Sequence, residues 1–310
     1  MSKKVLFDCD TGGDDACAVA LAVASPELEV LGITTCMGNQ PIENTTQNTL
    51  ELVRYLKADI PVARGSQNPL VRQRWVGNPE GHRLPIPDLS EEVGPLQEKS
   101  AVEFMVDVLR SSEEKVTLIP LAPLTNIAKL MLQHPDLVRE KVEEIVLMGG
   151  GMYFGNTTGA AELNFYADPE AAQAVFSFGL PVAMCGLDVC TNAYITPADN
   201  DSWKGFDNPC AKAFYSITHH SLNGGWGEFP GERTLIFDTV PVIYLLKPEL
   251  FTAVKADIQI ECASDLCDGM SVCDARTGLH QTDRPHIHTV VLDVDRQGYV
   301  DAVRELLKNA

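Results

Sequence analysis

Val5-Leu6-Phe7-Asp8-Cys9-Asp10-Thr11-Gly12-Gly13-Asp14-Asp15-Ala16 is a short apolar run that leads into four carboxylates within eight residues. The run has the continuity of a strand buried on both faces, and the alanine-rich stretch behind it reads as a helix. In an open α/β sheet, such a strand-to-helix junction faces the crevice where ligands bind. Strand periodicity places Asp8 and Asp10 on one side, and two glycines permit a sharp turn that returns Asp14 and Asp15 beside them. Carboxylates crowded in this way repel one another unless a cation neutralises them, and an all-oxygen donor set selects a hard ion such as Ca²⁺ or Mg²⁺. A plainer reading, in which Asp14 and Asp15 only complement a helix dipole, leaves four acids around one Gly-Gly turn unexplained. An EF-hand loop starting at Asp8 would need a carboxylate at its twelfth position, which is Val19. A phosphatase of the haloacid-dehalogenase type also begins strand-Asp-x-Asp, with Asp8 as nucleophile, but it would place Thr or Val where this chain has Gly12.

The pattern repeats outward from this junction. Val30 to Thr35, Val116 to Leu121, Ile145 to Met148 and Val182 to Cys185 are further buried-strand runs. Helical stretches lie between them: Pro41 opens one to Lys57, and Asp168 reads as an N-cap with Pro169 at the first helical position and Gly179 as the stop. Strands alternating with helices imply βαβ units and an α/β fold, a single doubly wound, mostly parallel sheet flanked by helices with a Rossmann-like core. A chain of 310 residues could hold two domains, yet no linker or repeat divides it, so residues 1–310 read as one. Residues 66–98, with several prolines and Trp75, and 191–235, with His219-His220 and Gly224-Gly225-Trp226, break the rhythm. They read as long lid or binding loops near the active site.

Composition narrows the function. Hydrophobic residues make up 45% and charged residues 22%, which excludes wholesale disorder. With 24 basic and 43 acidic residues the net charge is −19, unfavourable for phosphate backbones and anionic membrane surfaces. The expected partner is a small molecule or a cation, with no nucleic acid and no membrane. The amino terminus lacks the apolar core of a signal peptide, no 18-residue apolar run occurs, and nine scattered cysteines suggest reduced thiols; a cytoplasmic enzyme is expected.

The acidic stretch also resembles the amino-terminal motif of the inosine–uridine-preferring nucleoside hydrolases, a strand followed by Asp-x-Asp-x-Gly-x-Asp-Asp. The resemblance continues through Thr34-Thr35-Cys36-Met37-Gly38-Asn39, Leu121-Ala122-Pro123-Leu124-Thr125-Asn126, Met148-Gly149-Gly150-Gly151, Asn156, Ala161-Glu162-Leu163-Asn164, Asp168-Pro169-Glu170-Ala171-Ala172 and Asp238, covering Val5 to about Asp295. It implies Ca²⁺-dependent hydrolysis of the N-glycosidic bond of ribonucleosides to free base and ribose, a role in purine or pyrimidine salvage, and a homotetramer or homodimer. It further implies that Asp10, Asp15, Asp238 and the main-chain carbonyl of Ala122 hold the metal. Asp14, Asn39, Asn156, Glu162 and Asn164 match positions that bind ribose, with Met148 near the sugar. Asp10 is suited to be the general base, because it would touch both metal and water. Cleavage builds positive charge on the sugar, which surrounding carboxylates stabilise. The alternatives are the phosphohydrolase with Asp8 as nucleophile and a nucleoside-binding protein that has lost turnover.

One position departs from the family pattern. Many members carry a histidine just before the carboxy-terminal metal aspartate, where it can protonate the departing base; here it is Phe237. Stacking of Phe237 on the base leans the substrate toward purines or other large bases, with His82, His219 or His220 as candidate proton donors. His82 and Trp75, both in the first long loop, are candidates to touch the base. Cys262, Cys267 and Cys273 near His280, His286 and His288 lack paired zinc-ligand spacing and read as ordinary thiols. Arg233 reads as a surface residue.

Overall fold

The computed structural model describes residues 2–74, 77–90, 92–226, 229–277 and 283–310. Trp75 and His280 lie outside these described residues. The strands are β1 (Lys3–Cys9), β2 (Leu28–Thr35), β3 (Val62–Arg64), β4 (Val116–Pro120), β5 (Val142–Met148), β6 (Val182–Cys185), β7 (Tyr194–Ile195), β8 (Thr234–Leu235), β9 (Phe251–Ile260), β10 (Ser271–Asp274) and β11 (His288–Val294). Nine of them form one sheet in the order β10-β9-β11-β6-β5-β4-β1-β2-β3. Every pairing from β3 across to β11 is parallel; β9 and β10 are added antiparallel at the edge. The order 3-2-1-4-5-6 within it is that of a doubly wound fold, and its direction reverses at β1, which pairs with β2 on one side and β4 on the other. The crevice beyond the carboxyl ends of β1 and β4 is where folds of this kind bind ligands, and the acidic stretch lies at that end of β1.

Helices cover both faces. Gly13–Ala24 is buried from Ala16 to Ala22 on all sides, because it lies between the sheet and the helices Pro209–Leu222, Thr239–Leu246 and Arg296–Asn309. The helix read from Pro41 spans Ile42–Tyr55, and Asp168 caps Pro169–Phe176 by accepting from the Ala171 amide at 3.1 Å. Among the described residues no helix is long and apolar enough to cross a membrane, and all nine cysteines are free.

Three expectations need correction. Residues 191–235 are not a long loop: they contain β7, the helices Pro197–Trp203 and Pro209–Leu222, and β8. Trp203 is buried against Phe214 with ring centroids 5.6 Å apart, a tertiary contact that overrides the prolines and polar residues which suggested a loop. The described part of 66–98 has neither helix nor strand, but it is tied down as a strap instead of hanging as a lid. Ser66 donates to Asn126, the Leu70 amide donates to Asp168 at 2.6 Å, and Arg72 makes a two-pronged ion pair with Asp268 at 2.9 Å. Arg233 is not a plain surface residue, since its guanidinium lies 4.3 Å from the centroid of the Phe229 ring.

Candidate active site

At the end of β1, Asp8 Oδ1 accepts from Thr34 Oγ1 at 2.6 Å and Asn126 Nδ2 at 2.8 Å, while its buried Oδ2 has no partner, and burial raises its pKa to about 7. Like Asp10, it lines neither of the cavities described below. Asp10 is also fully buried, with Oδ2 accepting from the Asn39 amide at 2.5 Å and Oδ1 left without a partner. Gly38 makes this approach possible, because a Cβ there would fall 2.1 Å from Asp10 Oδ2.

The chain then enters the helix Gly13–Ala24, and Asp15 turns back to accept from the Gly12 amide at 2.9 Å and the Asp10 amide at 3.1 Å. The two glycines do not serve as a left-handed turn; Gly12 is extended, and neither has positive φ. At Gly13 the requirement is space: a Cβ would lie 2.3 Å from the ring of Trp226.

Carboxylate oxygens of Asp14, Asp15 and Asp238 lie within 4.8 Å of one another. Asp238 arrives from the far end of the chain at the start of the helix Thr239–Leu246. Burial, then neighbouring carboxylates, holds Asp15 up at about 8 and pushes Asp10 and Asp238 well above the usual carboxylate range; burial raises Asp14 as well. Four mutually repelling acids, one with an orphaned buried oxygen, are a donor set that fits a hard divalent cation. The tight trio contains Asp14, which the resemblance places on ribose, while Asp10 stands beside it. Ala122 is fully buried next to Cys36 and Met37, just past β4.

Two cavities open above the acids. The inner one, about 130 Å³, is bordered by Asp14, Asn39, Met148, Glu162, Asn164 and Asp238, with Asn156 at its exposed edge. Glu162 caps the helix Leu163–Ala167, accepting from the amides of Asn164 at 2.9 Å and Gly150 at 2.8 Å; burial outweighs these bonds and lifts its pKa to about 7. The Asn164 amide group donates to the carbonyls of Leu121 at 2.9 Å and Met148 at 3.2 Å, which leaves its oxygen as an acceptor. The outer cavity, about 390 Å³, is walled by His82, Trp226, Leu235 and Ser221. Asp14, Asn39, Leu163 and Phe237 border both.

Of the candidate histidines, only His82 borders a cavity. His219 stacks on Tyr215 at 5.3 Å, and His220 packs on Trp226 at 4.8 Å. Burial, then His220, lowers the pKa of His82, which favours the neutral imidazole. Cys262 Sγ donates to the Pro169 carbonyl, and His288 is buried against Phe176; among the described residues only the aspartate trio could hold a metal. Sequence reasoning placed Trp226 in a loop near the site without assigning it to a wall; the Gly13 that lies against it was a second, indirect signal.

The family model for inosine-uridine preferring nucleoside hydrolases matches residues 5–301. This chain belongs to that family. It is 42% identical over 315 residues to the pyrimidine-specific ribonucleoside hydrolase RihA of Shigella boydii, covering 99% of each chain. Among solved structures it is similar to the plant nucleoside hydrolase PpNRh1 (TM-score 0.85, 27% identity, 99% of both chains). It is likewise similar to a purine-preferring ribonucleoside hydrolase from Gardnerella vaginalis (TM-score 0.84, 26% identity, 99% of this chain and 100% of the other). Membership makes the chain a ribonucleoside hydrolase, an N-glycosyl hydrolase.

Proposed function

We propose that this enzyme hydrolyses the N-glycosidic bond of pyrimidine ribonucleosides, with Ca²⁺ held by Asp10, Asp14, Asp15, Asp238 and the Ala122 carbonyl. The observation that carries the reading is the pair of cavities joined at Asp14, Asn39, Leu163 and Phe237. The small inner one offers carboxylates and amide oxygens to sugar hydroxyls, and the larger outer one offers aromatic faces to a flat base. The bond between sugar and base then lies at their junction. The pyrimidine preference rests on the full-length likeness to RihA and departs from the leaning toward purines that Phe237 suggested.

When bound, the divalent cation would orient the ribose diol and ease deprotonation of water. Asp10 acts as general base at Oδ1, the atom left free while the Asn39 amide fixes Oδ2. Glu162 and Asn164 bind sugar hydroxyls, and the acidic wall stabilises the positive charge that grows on the sugar as the bond breaks. Phe237 stacks on the base and has no proton to give, so the His82 imidazole donates a hydrogen bond to the departing base. The enzyme works in the cytoplasm as a homo-oligomer in nucleoside salvage.

Chromatography of reactions with uridine, cytidine, inosine and their 2′-deoxy counterparts, with and without chelator, tests the reading. Base release from the pyrimidine ribonucleosides should dominate, cease on exhaustive chelation and return with Ca²⁺. Equal efficiency on deoxyribonucleosides would remove the ribose assignment, because the inner cavity leaves polar groups unpaired when a hydroxyl is missing.

A further inference from the structure

Two buried carboxamides that border neither cavity, Gln40 and Asn48, join the acidic loop to the strap. Both converge on the carbonyl of Thr11, the residue between Asp10 and Gly12: Gln40 Nε2 donates at 3.2 Å and Asn48 Nδ2 at 3.1 Å. Each also holds the backbone of His82. Gln40 Oε1 accepts from the His82 amide at 2.7 Å, and Asn48 Nδ2 donates to the His82 carbonyl at 3.0 Å. The peptide groups on either side of the His82 Cα are therefore each one side chain away from the peptide that joins Thr11 to Gly12. Asn48 stands on the helix Ile42–Tyr55, and Gln40 follows Asn39, whose amide binds Asp10, so both struts rise from elements already locked to the site. Among the described residues between 66 and 98, the strap has no helix or strand of its own to set the height of His82.

We propose that Gln40 and Asn48 are positioning residues that keep the His82 imidazole in register with the Asp10 to Asp15 carboxylates. The proposal rests on the reading that His82 faces the base. Catalysis of this kind is sensitive to placement, and a shift of about 1 Å costs on the order of a hundredfold. Both carboxamides are needed because one fixes the amide and the other the carbonyl of the same residue, which removes rotation about either peptide.

The test is a double-mutant cycle. Gln40→Met, which keeps the length of the side chain and removes donor and acceptor, and Asn48→Ala are made alone and with His82→Ala. Steady-state kinetics on the best ribonucleoside is paired with hydrogen exchange at the His82 amide. Each single variant should lose about ten- to a hundredfold in kcat/KM, with faster exchange at residue 82. In the His82→Ala background the further loss should shrink to less than about twofold. An undiminished loss there means that the carboxamides act through Thr11 and the acids alone, and overturns the proposal; so does unchanged exchange at residue 82. If His82→Ala has wild-type kinetics, the base-contact reading fails and takes the proposal with it, whereas impaired His82→Ala with additive losses defeats only the positioning role. Should Gln40→Met not fold, the cycle on Asn48→Ala decides alone.

Discussion

Gly13→Ala separates two explanations of the Gly-Gly pair. If the glycines were needed for a left-handed turn, alanine would strain the backbone; the structure instead gives Gly13 a conformation open to any residue and places the Trp226 ring where a Cβ would go. The new methyl would lie 2.3 Å from Trp226 Cζ2, 2.8 Å from Cη2 and 3.0 Å from Ile217 Cγ2. Ordinary carbon contacts begin near ~3.5 Å, so the indole must retreat by more than about 1 Å. Trp226 is 39% exposed and can yield, while Ile217 is fully buried and cannot. Retreat removes the flat wall of the outer cavity and its contacts with His82 and His220, at centroid distances of 6.1 and 4.8 Å. Loss of one aromatic contact is worth about 0.5–1.5 kcal/mol, or roughly two- to twelvefold in kcat/KM. Stability should change little, since alanine favours a helix over glycine by up to about 1 kcal/mol and partly offsets the crowding at Ile217. The assay is kcat and KM on the best ribonucleoside, with melting temperature and tryptophan emission, Trp203 serving as the buried reference. Unchanged kinetics and emission in a folded variant would refute the reasoning. A collapse in melting temperature would show that the backbone, and not the ring, absorbs the clash.

Asp10→Asn should lower turnover by at least about a hundredfold, the low end for loss of a general base, without lowering the melting temperature of metal-free protein, because a buried carboxyl whose charged form is disfavoured gives way to a neutral group of the same shape. Near-normal turnover would move the base elsewhere. In metal-free protein, Glu162 and Asp8 have folded pKa values raised to about 7 and Asp15 to about 8. Groups raised in this way favour the folded state while protonated, so stability should fall as pH rises from 5 through 8, by up to about 3 kcal/mol from Glu162 alone. Ca²⁺ should reverse the part of the loss that comes from Asp15, because it binds that carboxylate in its ionised form; calorimetric melting of metal-free protein that is flat or rising over this range would contradict the burial argument. Phe237→Ala should raise KM and lower kcat/KM, since the ring borders both cavities. If neither constant moves, stacking on the base is wrong.

The sequence by itself determined the frame of this protein. Continuous apolar runs such as Val5 to Phe7 and Val182 to Cys185 can only be satisfied on both faces of a covered sheet, and Asp168-Pro169 has the local chemistry that starts a helix; both are short-range facts. The four acids from Asp8 to Asp15 also made a cation-binding crevice the expectation, because their mutual repulsion depends on spacing alone. What lay beyond local chemistry was decided by packing. The helices within 191–235 have polar, proline-marked sequences and form because Trp203 and Phe214 meet in the core. The short β3 and the antiparallel β9 and β10 exist through pairing with distant strands. Only the tertiary structure shows that Asp8 Oδ1 is held by Thr34 and Asn126, that Asp14 closes the trio with Asp238, and that Gly13 makes room for Trp226. Each joins residues far apart in the chain, and such distances are set by how the sheet and helices pack, which no neighbouring residue records.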